Sequence, residues 1–274
     1  MRPLPAFPAR LLVAALALVL SGCFQISSVL TVRPDGSATL RDEVTLSGFA
    51  LMALEEAAEE GGEDPEEMFA RADFEKRAAA LGDGVALVSL EPSEGGYVAV
   101  YSVADVRRLR FSTPSLPSDD DDGTEADGGP LGDGVDLTFA FEEGDPATLR
   151  VVVPKPEPSK DEAPEADADG MVETEDDVDP ADQARMMGMM RSFFGDARMT
   201  VQVEVEGEIV ETTSAYADGS TVTLFDLPMS ALFDLIEEEP ELLEADDDEA
   251  ALARLRAMEG VRMEGPGTVR VRFR

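Results

Sequence analysis

Alternation of apolar and polar residues recurs along this chain and constrains its fold more than any other feature. Phe24, Ile26, Leu30 and Val32 alternate with polar residues over 24–32. The same pattern recurs in residues 38–46, 135–141, 149–153, 199–206 and 269–273. Alternation is typical of a half-buried β-strand, because successive side chains of a strand point to opposite faces of the sheet. The alternation therefore predicts β-sheets that have one face in the core.

Helices are predicted between these strands. They are predicted at residues 49–60, 65–81, 181–195, 228–236 and 248–258. A hairpin is predicted from residues 85–90 and 97–102, and a turn or short helix at 103–108 leads into a strand at 109–112. Strands followed by helices and then by further strands favour an α+β fold, mostly antiparallel sheet packed with helices.

Two acidic stretches divide the body. Residues 114–134, rich in Asp and Gly, predict a flexible loop. Residues 154–180, rich in Pro, Asp and Glu with almost no apolar content, predict a disordered linker. One domain is therefore expected in two parts, residues 23–153 and 181–274.

Two expectations concern pairing and burial. Asp42 falls on the apolar face of its strand, so it lies either at the rim or buried with a partner, and we favour the rim. The arginine-faced strand 269–273 matches the glutamate-faced strand 200–206, and opposite charges across strands are stabilising. We expect these two strands in one sheet.

Residues 1–22 predict a signal peptide. Arg2 and Arg10 supply a positively charged N-terminal region, and the apolar stretch at 11–20 that follows is too short to span a membrane. Leu20-Ser21-Gly22-Cys23 follows at once and resembles the lipobox of bacterial lipoproteins. Cleavage is expected between Gly22 and Cys23.

The lipobox resemblance implies that Cys23 carries a thioether-linked diacylglycerol and an amide-linked acyl chain such as palmitate. Two or more acyl chains anchor a protein stably. Phe24 stands where an inner-membrane retention signal would place Asp, so the resemblance implies the outer membrane, facing either the periplasm or the surface. The expected location is extracytoplasmic, at the cell envelope.

Composition excludes several partners. The chain has a net charge of −37, no His, no Trp and one Cys. So acidic a surface argues against nucleic acid and against unaided binding to anionic headgroups. The membrane partner must therefore be reached through the acyl chains on Cys23. The acidity also fits a high-salt habitat, an alternative that the sequence leaves open.

Catalytic chemistry has few candidates. General acid–base catalysis most often uses His, which is absent, and Cys23 is committed to the anchor. Ser159-Lys160 lies in the acidic linker. A carboxylate pair could hydrolyse glycosides, but no pair stands out among 59 acids. We expect no catalytic residue, no cofactor and no enzymatic activity.

Metal binding is also not expected. The run Asp119–Asp122 with Gly123 fails the register of a calcium loop, so a solvated charge run is favoured. Met186, Met187, Met189 and Met190 offer thioethers that suit Cu(I). Without His or Cys nearby, we favour core packing or an apolar binding groove.

Three stretches resemble the LppM-domain lipoproteins of the bacterial envelope. They are residues 28–40 with Arg33-Pro34-Asp35-Gly36, residues 96–106 with Asp105, and residues 203–224 with Gly207, Ile209, Asp218-Gly219 and Thr223. The resemblance implies an α+β body that binds lipid or another apolar ligand. It supplies no catalytic motif.

The leading functional hypothesis is thus a non-enzymatic envelope lipoprotein that binds an apolar ligand, a lipid or another envelope component. A cavity lined by Met190, Phe193 and Phe194 would favour it. A structural or assembly protein would instead expose an apolar patch, and a carboxylate-based hydrolase would bring two acids together in a cleft.

Overall fold

A computed structural model describes residues 24–46, 70–93, 95–113, 135–155, 180–239 and 248–274. The strands are β1 Gln25–Val32, β2 Ala38–Thr45, β3 Val85–Ser93, β4 Gly96–Val103, β5 Phe111–Ser112, β6 Asp136–Glu142, β7 Ala147–Val153, β8 Arg198–Val205, β9 Ile209–Thr212, β10 Ala217–Asp218, β11 Thr221–Pro228, β12 Arg262–Met263 and β13 Gly267–Phe273. The helices are α1 Arg71–Ala80, α2 Pro180–Phe194, α3 Met229–Glu238 and α4 Asp248–Arg256, with a 3-10 turn at Val106–Arg108.

The larger sheet has eight strands. Its order is β10-β11-β8-β1-β2-β4-β3, and β12 pairs with β11. β1 lies in the middle, antiparallel to β2 and parallel to β8. All other pairs within this sheet are antiparallel, including the hairpin of β3 and β4 predicted from the sequence. The prediction of a mostly antiparallel α+β fold is therefore confirmed for the described residues.

The smaller sheet has the order β5-β6-β7-β13-β9. β13 pairs with β7 and β9, whereas β8 lies in the larger sheet. The expectation that residues 269–273 and 200–206 share a sheet is therefore wrong. Two arginines of this segment pair with other acids: Arg272 of β13 binds Glu211, and Arg274, which follows β13, binds Glu208. Charge complementarity alone does not select a strand's neighbour, because each exposed pair contributes little.

The two sheets share one apolar core. Leu40 and Tyr101 from the larger sheet and Leu149, Val151 and Phe273 from the smaller one are almost fully buried in it. The alternation read from the sequence is confirmed in β6, whose residues are exposed and buried in strict turn. Phe74 and Ala78 of α1 belong to this core too.

A second apolar cluster lies where β1 and β8 begin and β11 ends. Its buried members are Ala197, Met199, Leu227, Met229, Ala231, Leu232, Phe233, Leu235, Leu255, Val261 and Met263. Helix α3 supplies five of its buried residues, as its amphipathic sequence requires. Phe24 and Met187 pack against this cluster, so the chain enters the fold beside α2.

The chain passes from the larger to the smaller sheet at Gly207, between β8 and β9. Its φ is +140°, and a Cβ at this position would lie 2.3 Å from the carbonyl oxygen of Arg274. Glu208 and Arg274 then exchange backbone hydrogen bonds of 2.9 and 3.1 Å. Only glycine permits this approach.

Several sequence predictions concern residues outside the described ranges. These are the signal peptide at 1–22, the lipid cysteine at 23, the helix at 49–60, the loop at 114–134 and most of the linker at 154–180. The helix predicted at 65–81 begins at Arg71, after an extended Ala70.

Candidate functional site

A cleft of about 740 Å³ lies between the two sheets. The inner face of β1, β2 and β4 forms one wall, α1 forms a side, and the edge strand β5 with its neighbour β6 forms the other wall. Its apolar lining comprises Ile26, Val44, Ala80, Leu81, Tyr97, Phe111 and Leu137. Its polar lining includes Ser28, Asp42, Arg77, Arg110, Ser112, Thr113, Asp136 and Thr138. This volume is typical of small-molecule sites.

Asp42 is the buried acid of this cleft, only 3% exposed. Its Oδ1 accepts a hydrogen bond of 2.8 Å from the Ser28 hydroxyl, and its Oδ2 accepts one of 2.8 Å from Nη2 of Arg77. Burial raises the pKa of Asp42, while Arg77 and Ser28 oppose that rise. The expectation that Asp42 lies at the rim is therefore wrong.

The two partners of Asp42 were not predicted from the sequence, although the positions of Ser28 and Arg77 in their elements could have indicated them. Ser28 also interrupts the apolar face of its strand, and it is the register partner of Asp42. Arg77 precedes the buried Ala78 and follows Phe74 by three residues, so it lies near the core-facing stripe of α1. A hydroxyl, an acid and an arginine on facing apolar surfaces indicate a buried polar group.

Two tyrosines accompany this acid. The Tyr97 ring stacks edge-on against Phe74, with the centroids 4.6 Å apart. Tyr101 is fully buried, and its hydroxyl has no hydrogen-bond partner within the described part of the chain. Burial raises the pKa of Tyr101 to about 12, so it stays protonated at neutral pH. The Tyr97 ring lines the cleft, whereas Tyr101 belongs to the core that the two sheets share.

Two guanidinium groups line the cleft. Arg77 is held by Asp42 and is still 43% exposed. Arg110 is exposed, and its side chain makes no hydrogen bond or ion pair to any residue that the structure describes. Its backbone nitrogen donates to the carbonyl of Leu81, which fixes the chain just before β5. The cleft thus combines apolar walls with a cation available for a ligand.

A second acid, Asp136, lines the same cleft and accepts a hydrogen bond from the Ser112 hydroxyl. Two acids in a cleft are what a hydrolase would need. However, both oxygens of Asp42 already accept hydrogen bonds from Ser28 and Arg77. Asp42 is therefore engaged with Ser28 and Arg77 within the fold.

Another depression of about 570 Å³ lies at β10 and β11. Gln202, Tyr216, Asp218 and Arg262 are among its lining residues. Gln202 alternates with the buried Val201 and Val203, so this depression lies on the opposite face of the larger sheet. It contains no buried ion pair, and the inter-sheet cleft is the better candidate.

The methionine run is divided between core and surface. Met187 packs on the second apolar cluster, whereas Met189 and Met190 are exposed. Phe194 is 37% exposed. Met190 and Phe194 line neither of the two cavities, so the cavity expected from them is not found there. The side chains of Met186 and Phe193 lie outside the described set.

Within the described ranges, no cluster of three or more His, Cys, Asp or Glu side chains is arranged to hold a metal ion. In the same ranges, no helix is long and apolar enough to cross a membrane.

The chain matches no family model and no curated protein. Among solved structures it is similar to the NMR structure of the folded domain of LppM from Mycobacterium tuberculosis. The two are 11% identical, the match covers 91% of this chain and 90% of that chain, and the TM-score is 0.28.

Proposed function

We propose that this protein is an envelope lipoprotein, anchored through acyl chains on Cys23, whose body binds an amphiphile with an anionic headgroup. The observation that carries the proposal is the inter-sheet cleft, in which apolar walls meet Arg110. The protein acts by binding, without catalysis. Its location is extracytoplasmic, and the lipobox with Phe24 favours the outer membrane.

The walls suit an acyl chain. Ile26 and Val44, which are half-buried, line one side of the cleft, and the almost fully buried Phe111 and Leu137 line the other. Each methylene of a ligand buried there contributes about 0.8 kcal/mol. A purely apolar ligand fits less well, because it would desolvate Arg110 without giving it a partner.

The headgroup end is preorganised. Asp42 holds Arg77 in place from within the sheet, at 2.8 Å. Arg110 is free of such a partner among the described residues and supplies donors to a phosphate or carboxylate. Charge-assisted hydrogen bonds of this kind are about twice as strong as neutral ones.

A carboxylate-based hydrolase is the competing proposal, since Asp42 and Asp136 line one cleft. It requires one acid free to protonate a leaving group. The engagement of Asp42 by Ser28 and Arg77 supports binding instead. The non-enzymatic proposal would be overturned if the wild-type protein hydrolysed glycosides and the Asp136→Asn variant did not.

Ligand binding is tested with dihexanoyl phosphatidylglycerol and dihexanoyl phosphatidylcholine, added to the detergent-extracted full chain and followed by native mass spectrometry. The anionic lipid is expected to bind more tightly. Arg110→Gln should weaken that binding at least about tenfold, the loss of one charge-assisted hydrogen bond. The matched control is Arg108→Gln, an exposed arginine two residues away that does not line the cleft. Equal losses in both variants would contradict the site.

The anchor is tested separately. The mass of the N-terminal peptide should show cleavage before Cys23 and acylation of its sulfur. Cys23→Ser should release the protein from the membrane fraction. A wild-type chain that is unacylated at Cys23 would overturn the anchor and leave the cleft untouched.

A further inference from the structure

Helix α2 exposes three large apolar side chains beside the start of the described chain. Met189, Met190 and Phe194 are 58%, 44% and 37% exposed. Met190 and Phe194 are four residues apart and share a side of the helix. Met189 lies about 100° round the helix axis from Met190, so the three side chains form a broad apolar surface and not a single stripe. Single exposed apolar residues are ordinary, whereas an apolar surface of this kind is typical of a contact site.

This surface is continuous with the entry of the chain. The Phe24 ring meets the Phe194 ring edge-on, with centroids 6.2 Å apart and an interplanar angle of 87°. Phe24 also packs on the second apolar cluster. Cys23 directly precedes it, and consecutive Cα atoms are about 3.8 Å apart. Acyl chains on Cys23 would therefore start beside α2.

The same stretch is almost free of charge. Residues 186–194 read MMGMMRSFF, in a chain that is 30% charged. Arg191 is the one charge among them, and it is bound to Asp234 and Glu237 of α3. Arg191 and its two acids together carry a net charge of −1, but residues 186–194 themselves contain no acid. The strip therefore meets less of the repulsion that the rest of this acidic surface meets at anionic headgroups.

We propose that Phe24, Met189, Met190 and Phe194 form a bilayer contact that sets the orientation of the body on the membrane. This inference rests on the proposed acylation of Cys23. Side chains of this kind enter the boundary between headgroups and acyl chains. The anchor holds the protein, and the α2 surface fixes which side faces the lipid.

A fluorescent probe tests the contact. Cys23 is the chain's single cysteine, so once it is acylated an introduced cysteine takes the label alone. Met189→Cys is labelled with an environment-sensitive nitrobenzoxadiazole dye, and the full-length acylated protein is placed in phosphatidylcholine vesicles containing nitroxide-labelled lipid. The control is Val88→Cys on β3, because Val88 and Met189 are equally exposed at 58%.

We expect nitroxide lipid to quench the probe at position 189 at least threefold more than at position 88. Equal quenching would overturn the contact. The probe at position 189 could instead be shielded from water in vesicles without being quenched. That result would mean that a protein, such as a second copy of this chain, covers α2, and it would overturn the bilayer contact. Met190→Cys repeats the test should the first variant misfold.

The two proposals fail in different ways. A chain that is acylated by mass but unquenched at position 189 refutes the contact and keeps the anchor. A chain that is unacylated and absent from the vesicles refutes the anchor, and the contact with it. Quenching at position 189 in acylated protein supports both.

Discussion

Nη2 of Arg77 donates a 2.8 Å hydrogen bond to Oδ2 of Asp42, and this contact ties α1 to the inner face of the larger sheet. The acid is almost fully buried, whereas the arginine reaches solvent. The ion pair with Arg77 of α1 therefore offsets part of the cost of burying the Asp42 carboxylate.

Arg77→Met removes the cation and leaves the buried carboxylate with Ser28 alone. We expect the free energy of unfolding to fall by about 2 kcal/mol, the usual cost of an unsatisfied buried polar group. Urea denaturation measures it. Arg41→Met is the control, since Arg41 and Glu43 are both half exposed and such pairs contribute about 0–1 kcal/mol. Adding Asp42→Asn to Arg77→Met should restore stability, and a further loss would contradict the argument.

The stability contributed by Asp42 should depend on pH. Burial raises the pKa of Asp42 in the folded state above its ordinary 3.8. As the pH rises above about 4, the unfolded chain loses the Asp42 proton first. The free energy of unfolding of the wild type relative to Asp42→Asn should therefore fall with rising pH, and level off above the folded-state pKa. Urea denaturation of both proteins from about pH 4 to about pH 7 checks this. A difference that grows with pH would show that Arg77 outweighs burial.

Gly207 should tolerate no side chain. Gly207→Ala places a Cβ against the Arg274 carbonyl at a φ of +140°, so we expect a loss of more than about 2 kcal/mol. Gly219→Ala is the matched control, because Gly219 has a φ of +60° and open space around it. There the loss should be about 1 kcal/mol, the cost of the left-handed conformation alone. Thermal unfolding compares the two, and equal losses would contradict a steric origin.

Arg198 and Asp226 form a two-point contact that lysine cannot reproduce. Nε and Nη2 of Arg198 reach the two carboxylate oxygens of Asp226 at 2.6 and 2.7 Å, and Asp226 is buried. Arg198→Lys keeps the charge but loses the paired geometry, so about 1 kcal/mol of stability should be lost. Arg274→Lys, at an exposed pair 3.5 Å apart, should change stability by less than about 0.5 kcal/mol.

Local patterns in the sequence predicted most strands and helices of the described chain correctly. Alternation placed β1, β2, β6, β7, β8 and β13, because one face of each strand lies in a core. The hairpin of β3 and β4 followed from its turn glycines.

Pairings between distant strands could not be predicted in the same way. β1 and β8 are joined in parallel across 173 positions, and nothing local records that choice. The charge match between β8 and β13 pointed to the wrong neighbour, because exposed charges stabilise a pair too weakly to determine sheet order.

The candidate site was only partly visible for a related reason. Asp42 stood out as an acid on an apolar face, but its partners come from another strand and from a helix. Arg110 carries no sequence signal, since its importance depends on the edge of the smaller sheet lying opposite β1 and β2. Sites built between layers are found only once the layers are assembled.

The central position of β1 has a mechanical consequence. Every residue from Gln25 to Val32 is paired on both sides, with β2 and with β8. A pull on the N-terminus along the strand axis therefore loads both ladders in shear, so that many hydrogen bonds must break together rather than one after another. A load applied at residue 23 therefore reaches a strand that is paired along its whole length, and β2 and β8 share that load.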